Sequence, residues 1–179
     1  MKRNVWVFGL ISGLLITGMM LYSVAKIQRG DHLGGNDVLG YAAMIAAFSF
    51  IFVGIKNFRD KYNQGIISFG KAFKIGLLIT LVASTLYVAV WLVGYYIFVP
   101  DFMDKYTVCV LNEAKADGAT QVQLTQKAGE MASFKEMYKN PLFVILITYS
   151  EVFPIGLIIS LISALILKRK ARKEEHAIS

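Results

Sequence analysis

Residues 75–99 read IGLLITLVASTLYVAVWLVGYYIFV, twenty-five positions without one charge, and Pro100 follows at once. At ~1.5 Å per residue a helix of this length crosses the ~30 Å apolar layer of a bilayer. Proline ends it, and Trp91, Tyr95, Tyr96 and Phe98 gather at that end, where an interfacial aromatic belt would sit.

Working outward, residues 101–140 form the one sizeable polar segment. Asp117 and Gly118 divide it into two helical stretches, and Thr120 with Gln123 reads as a capping box opening the second. A further apolar run, from Pro141 in a favourable first-turn position, covers about 142–167 before Lys168, Arg169, Lys170, Arg172 and Lys173 stop it.

Upstream of residue 75, Lys56, Arg59, Asp60, Lys61, Lys71 and Lys74 mark a membrane border. Ser68 is placed there to cap a short interfacial helix carrying Phe69 and Phe73. A second span covers about 38–55, capped by Asn36 or Asp37 after a connection, 26–37, that holds Gly30, Gly34 and Gly35. The first covers about 5–25 behind Lys2 and Arg3. It is too long for the ~7–15-residue core of a secretory signal, and Tyr22, Ser23, Val24 and Ala25 run into Lys26 without a small-x-small cleavage site.

The composition agrees with this reading. A chain of 179 residues that is 56% hydrophobic, with a mean hydropathy of +0.55, has more apolar surface than one soluble core of its size can hide. The net charge of +7 sits at membrane borders, so it implies no nucleic-acid partner. Cys109 is the one cysteine, which excludes an intrachain disulfide and a cysteine metal cluster. The expected fold is therefore all-α: a single membrane domain, 1–179, of about four transmembrane helices with a helical hairpin, 101–140, between the third and fourth.

Orientation follows from where Lys and Arg accumulate. The N-terminus has two basic residues, residues 56–74 have five and the tail 168–179 has five. Residues 26–37 have two, and in 101–140 six acidic residues outnumber five basic ones. Both termini are thus expected in the cytoplasm and the hairpin outside it.

Three strings carry a resemblance: Ile67-Ser68-Phe69-Gly70-Lys71-Ala72-Phe73-Lys74, the Pro100-Asp101-Phe102 turn, and the Tyr138-Lys139-Asn140-Pro141 junction. With Glu151-x-x-Pro154-x-Gly156 in the last span, the chain resembles the bacterial domain-of-unknown-function family 4199. The resemblance spans nearly the whole chain and is strongest from Lys61 to Lys170. It implies a multispan protein of the bacterial cytoplasmic membrane and no activity, so no catalytic or binding residue comes with it.

Among individual residues Glu151 stands out, ~14 Å into the fourth span from Leu142 at the standard helical rise. A carboxylate in hydrocarbon costs ~2.5–3.5 kcal/mol on insertion scales, so it should face protein or water. Thr148 is its nearest same-face neighbour, and Pro154, three residues on, deprives the Ser150 carbonyl of its helical donor and predicts a kink. Thr80, Ser84, Tyr87, Trp91 and Tyr95 share one face of the third span, and the expectation is that Thr80 or Ser84 meets Glu151. Glu151, Thr148, Thr80 and Ser84 are then a candidate proton or hydrogen-bond site. The structural alternative is helix packing, with Glu151 either a protonated interhelical hydrogen-bond donor or near enough to the outer interface to stay hydrated.

Gly9, Gly13 and Thr17, Ala43 and Ala47, and Gly156, Ser160 and Ala164 have the spacing of close helix contacts, within the chain or between copies. Lys168–Lys173 stops transfer and could meet anionic headgroups. His32 and His176 fall on opposite sides of the membrane and cannot share a site.

There is no H-E-x-x-H, G-x-S-x-G or P-loop motif, and Cys109 has no sequence-visible histidine partner. The sequence therefore points to no catalytic residue, metal or cofactor. It points to a non-enzymatic scaffold or accessory module whose partners are the lipid bilayer and another membrane protein or a second copy. The rival is a small proton-coupled transporter or channel component using Glu151.

Overall fold

The computed structural model describes residues 1–29 and 36–169, the side chains of 36–39 excepted. Gly30, His32, Gly34 and Gly35 of the first connection, the caps expected from Asn36 or Asp37, and the tail beyond Arg169 lie outside the described residues. Within them the chain is helical: α1 (Lys2–Gln28), α2 (Asn36–Tyr62), α3 (Phe69–Val93), α4 (Phe102–Ala116), α5 (Gln121–Met137) and α6 (Pro141–Leu167). A π-helical turn, Gly94–Phe98, prolongs α3. No strand occurs among the described residues, where Ile67 and Arg169 form an isolated antiparallel bridge.

Four helices are long and apolar enough to cross a membrane: α1, α2 from Gly40, α3 with its π turn, and α6. They coincide with the four expected spans but extend past them. α2 continues beyond Ile55 to Tyr62, and α1 begins at Lys2.

The short interfacial helix expected before the third span does not exist as a separate element. Ser68 does cap a helix, accepting from the Lys71 amide at 3.4 Å, but that helix is α3 itself. Nothing breaks it before Ile75, because Ala72, Ile75 and Ile79 continue one fully buried face at helical spacing. Other local signals read in the sequence are present. Gly118 closes α4 with a φ of +84°, Thr120 and Gln123 form the capping box of α5, and Pro141 opens α6 behind an Asn140 cap.

α3 packs against both α1 and α6, and α2 completes the bundle by touching α1, α3 and α6. Asn4 near the start of α1 donates to the Gly54 carbonyl (2.8 Å) and accepts from Asn57 (2.7 Å), so α1 and α2 are antiparallel. Gly9 and Gly13 lie on Val82 and Ala83, which makes α1 and α3 parallel. Gly76 lies on Ser160 and Gly156 on Thr80, so α6 runs against α3. The first residue of α1 and the last of α6 consequently share one end of the bundle, while α4 and α5 occupy the other.

Unlike a soluble bundle, this one is apolar outside as well as inside, where Phe48, Ile51, Ile55 and Ile75 are fully buried. Trp6, Leu14 and Tyr22 of α1 and Leu142, Leu146, Ile158 and Ile166 of α6 point outward, whereas Ser12, Thr80, Ser84 and Ser160 are fully buried. Lipid tails solvate such a surface as well as a core would, so helices associate here through close packing and hydrogen bonds.

Glycine measures that closeness. A methyl group on Gly156 would fall well inside contact distance of the Thr80 side chain and 3.1 Å from the Phe48 ring, whereas one on Gly18 would meet nothing within 4 Å. Replacing Gly156 by Val overpacks the α3–α6 contact and should destabilise the bundle by ~1–3 kcal/mol. Gly18→Ala should be neutral or stabilising by up to ~1 kcal/mol, since Ala is the better helix former. Unfolding of the two variants in one detergent separates these outcomes, and equal stability would refute the close contact.

Candidate functional site

Some interior polar groups of the bundle have partners that the sequence could not assign, whereas the buried hydroxyls of Ser12, Thr17 and Ser84 have none. Thr80 Oγ1 bonds to the Gly76 carbonyl and to Ser160 Oγ, each at 3.1 Å, beside Gly156. Gly156 and Ser160 lie five and nine residues past Glu151, ~7.5 and ~13.5 Å along the helix axis. Ser84 is fully buried and its hydroxyl has no hydrogen-bond partner, and Thr148 donates to the Val144 carbonyl at 2.7 Å. The structure thus joins Thr80 to Ser160, bonds Thr148 back to its own helix and gives the Ser84 hydroxyl no hydrogen-bond partner.

Glu151 is exposed on α6 while the next residue, Val152, is fully buried. Its carboxyl is within electrostatic reach of Tyr87 and Tyr138. Tyr87 belongs to the polar face of α3 read from the sequence, but Tyr138 does not: it precedes α6, and only the fold brings it near. α6 runs through Pro154 as one helix. A cavity of about 340 Å³ opens beside that proline, lined by Leu81, Tyr149, Ser150 and Phe153, with Tyr149 hydroxyl-bonded to Thr85 at 2.7 Å.

Tyr138 belongs to an aromatic cap. Trp91 packs edge-on to Phe102 (4.9 Å between centroids), Tyr95 to Tyr138 (5.3 Å) and Phe134 to Phe143 (5.8 Å). The rings tie α3, α4, α5 and α6 together at one end. The π turn contributes by directing both Tyr95 and Tyr96 toward this cap, and Tyr96 donates to the Tyr138 carbonyl at 3.0 Å. Burial, reinforced by the charge of Glu151, pushes the Tyr138 phenol up to about 12.

Around the cap, Gln28 of α1 donates to Asp101 (3.2 Å) and accepts from Lys105, and Lys105 pairs with Asp101 at 2.8 Å. Lys105 and Gln28 hold the Asp101 carboxyl below the usual carboxylate range. Lys135 of α5 pairs with Asp104 of α4. Cys109 is buried on α4, where burial and the charge of Glu113 push its thiol up, away from the thiolate that nucleophilic chemistry uses. Among the described residues, no three His, Cys, Asp or Glu side chains converge to hold a metal ion.

A family model described as Protein of unknown function (DUF4199) matches residues 6–169, most of the chain. No curated protein and no solved structure matches it.

The Glu151–Tyr138 coupling is measurable. Removing a negative charge near a phenol eases its ionisation, so Glu151→Gln should lower the Tyr138 pKa from about 12 toward the ordinary 10. Ultraviolet difference titration, each protein against its Tyr138→Phe counterpart, isolates that one tyrosine. An unchanged pKa would show that the Glu151 carboxyl carries no charge in the folded protein. For the interior pair, a double-mutant cycle of Thr80→Val and Ser160→Ala should give a coupling of ~0.6 kcal/mol, with ~1.7 as the ceiling for such bonds in membranes.

Proposed function

The chain belongs to the DUF4199 family, and from that premise we propose that it is a non-enzymatic scaffold or accessory module of the bacterial cytoplasmic membrane. In this reading both termini are cytoplasmic, and α4 and α5 form an extracytoplasmic hairpin that meets another membrane protein or a second copy. Neither a cofactor nor a nucleic acid takes part.

One observation carries the reading: the bundle interior is consumed by its own packing. Thr80, Ser160, Gly156, Phe48 and Ile51 meet where the helices approach most closely. Besides the cavity beside Pro154, another lies between the end of α1 and α4, lined by Ile27, Gln28, Lys105 and Cys109, and neither is lined by the Thr80–Ser160–Gly156 contact. The small residues that could have paired two copies are spent within the chain, as Gly9, Gly13 and Gly156 are on α3. Surfaces left for partners are the apolar outer faces and the exposed side of α5, where Val122 is 77% exposed.

A second reading rests on Glu151, a carboxyl on a spanning helix near two buried tyrosines. Intramembrane acids commonly mark proton paths, and here Glu151 would load and release the proton.

Two measurements decide. A photo-crosslinker at Val122 in intact cells should give an adduct with another membrane protein or a second copy, and the absence of any adduct counts against the module. Proteoliposomes under an imposed potential should pass protons no faster than protein-free vesicles. A flux abolished by Glu151→Gln would instead establish the transporter.

A further inference from the structure

The bundle end that holds the first residues of α1 and the last of α6 is chemically one-sided. Lys2, Lys56, Lys61, Lys74, Lys168 and Arg169 are all exposed there, contributed by the ends of four different helices. Asp60 is the one acidic residue among the described residues of that end, and it is already taken by Arg59 at 2.7 Å. At the opposite end, lysines alternate with acids and pair with them, as in Lys105–Asp101, Lys135–Asp104 and Lys139–Glu136.

The height of the basic ring is fixed independently by aromatic side chains. Trp6, Tyr62 and Phe69 are exposed on the outer surface at this end, one each on α1, α2 and α3. Trp and Tyr settle at headgroup level, so charges on the terminal turns around them stand among lipid phosphates. The tertiary structure also holds the ring together. Arg3 donates to the Tyr62 hydroxyl at 2.9 Å, Arg59 donates to the Leu167 carbonyl, and the backbones of Ile67 and Arg169 exchange hydrogen bonds of 3.0 and 2.8 Å.

From this geometry we infer that the basic end is a docking collar for anionic phospholipid headgroups, which gather around the protein in preference to zwitterionic ones. The occupant is set by charge and position: a phosphate-bearing anion held at the depth of the aromatic ring, in a place where the described residues supply almost no counter-charge. Each lysine near such a surface adds an attraction that salt screens. The inference stands apart from the scaffold and proton readings and does not depend on which side is cytoplasmic.

Trp6 reports on it directly, being 58% exposed beside the collar while Trp91 is buried at 7%. The full chain is placed in symmetric nanodiscs, and Trp6 fluorescence is quenched with acyl-brominated phosphatidylglycerol or phosphatidylcholine to give a relative association constant. The wild type should favour the anionic lipid about fivefold or more at low salt and lose most of that preference in high salt. Converting Lys2, Lys56, Lys61 and Lys74 to Gln should move the ratio most of the way toward one, Lys168 and Arg169 remaining, and converting the same four to Arg should restore it. A wild-type ratio near one, or equal loss in the Gln and Arg variants, overturns the proposal. So does a wild type indifferent to anionic lipid that binds an acidic peptide or duplex DNA in detergent, because the patch would then serve a soluble partner.

Discussion

The contact between α3 and α6, where Gly156 leaves no room for a methyl group beside Thr80 and Gly76 lies against Ser160, is the constraint on which the rest of the molecule depends. In a bilayer, apolar area gains nothing by turning inward, so helices must come close enough for dispersion and short polar bonds to hold them. Small residues permit that distance. Once α3 and α6 meet at this spacing, Phe48 and Ile51 of α2 fill the adjoining groove, and α1 closes the other side through Gly9 and Gly13. α3 is the most enclosed of the four, half of its apolar window lying inside the bundle.

The same closeness explains how polar groups are treated. A hydroxyl in hydrocarbon needs partners, and Thr80 has two: it donates to the Gly76 carbonyl on its own helix and shares a hydrogen bond with the Ser160 hydroxyl across the interface. The amide pair of Asn4 and Asn57 does comparable work near the basic end, fastening α1 to α2 with a bond to the Gly54 carbonyl. The other end is fastened differently, by rings. There the π turn after Val93 widens the helix, brings both Tyr95 and Tyr96 into the cap, and lets α4 and α5 rest on α3 and α6 through aromatic edges. One end therefore carries exposed cations and the other a polar lobe on an aromatic base, which gives the bundle two chemically distinct ends.

Much of this was legible along the chain. Uncharged runs of some twenty residues require helices that cross, because only a helix satisfies its own backbone in lipid. Thr120 with Gln123, Gly118, and Asn140 before Pro141 act over three or four residues, so their effect needs no knowledge of the fold. The reading failed at residues 68–74. Lys71 and Lys74 look like the polar face of a surface helix until the buried line Ala72–Ile75–Ile79 shows that the same helix enters the bundle. Of the two tyrosines within electrostatic reach of Glu151, Tyr87 lies on the α3 face read from the sequence, whereas Tyr138 comes near only because the aromatic cap gathers the ends of α3, α5 and α6.

By itself, then, the sequence determined the number of spanning helices, their caps and breaks, and the concentration of basic charge in a few segments, all of which are consequences of backbone hydrogen bonding and local composition. Only the tertiary structure decided that Thr80 answers Ser160, that Gly156 is a point of contact, and that lysines from four segments gather at one end of the bundle. Those facts depend on the rotation and height of each helix against its neighbours, which are set by interlocking side chains distant in sequence and leave no local trace.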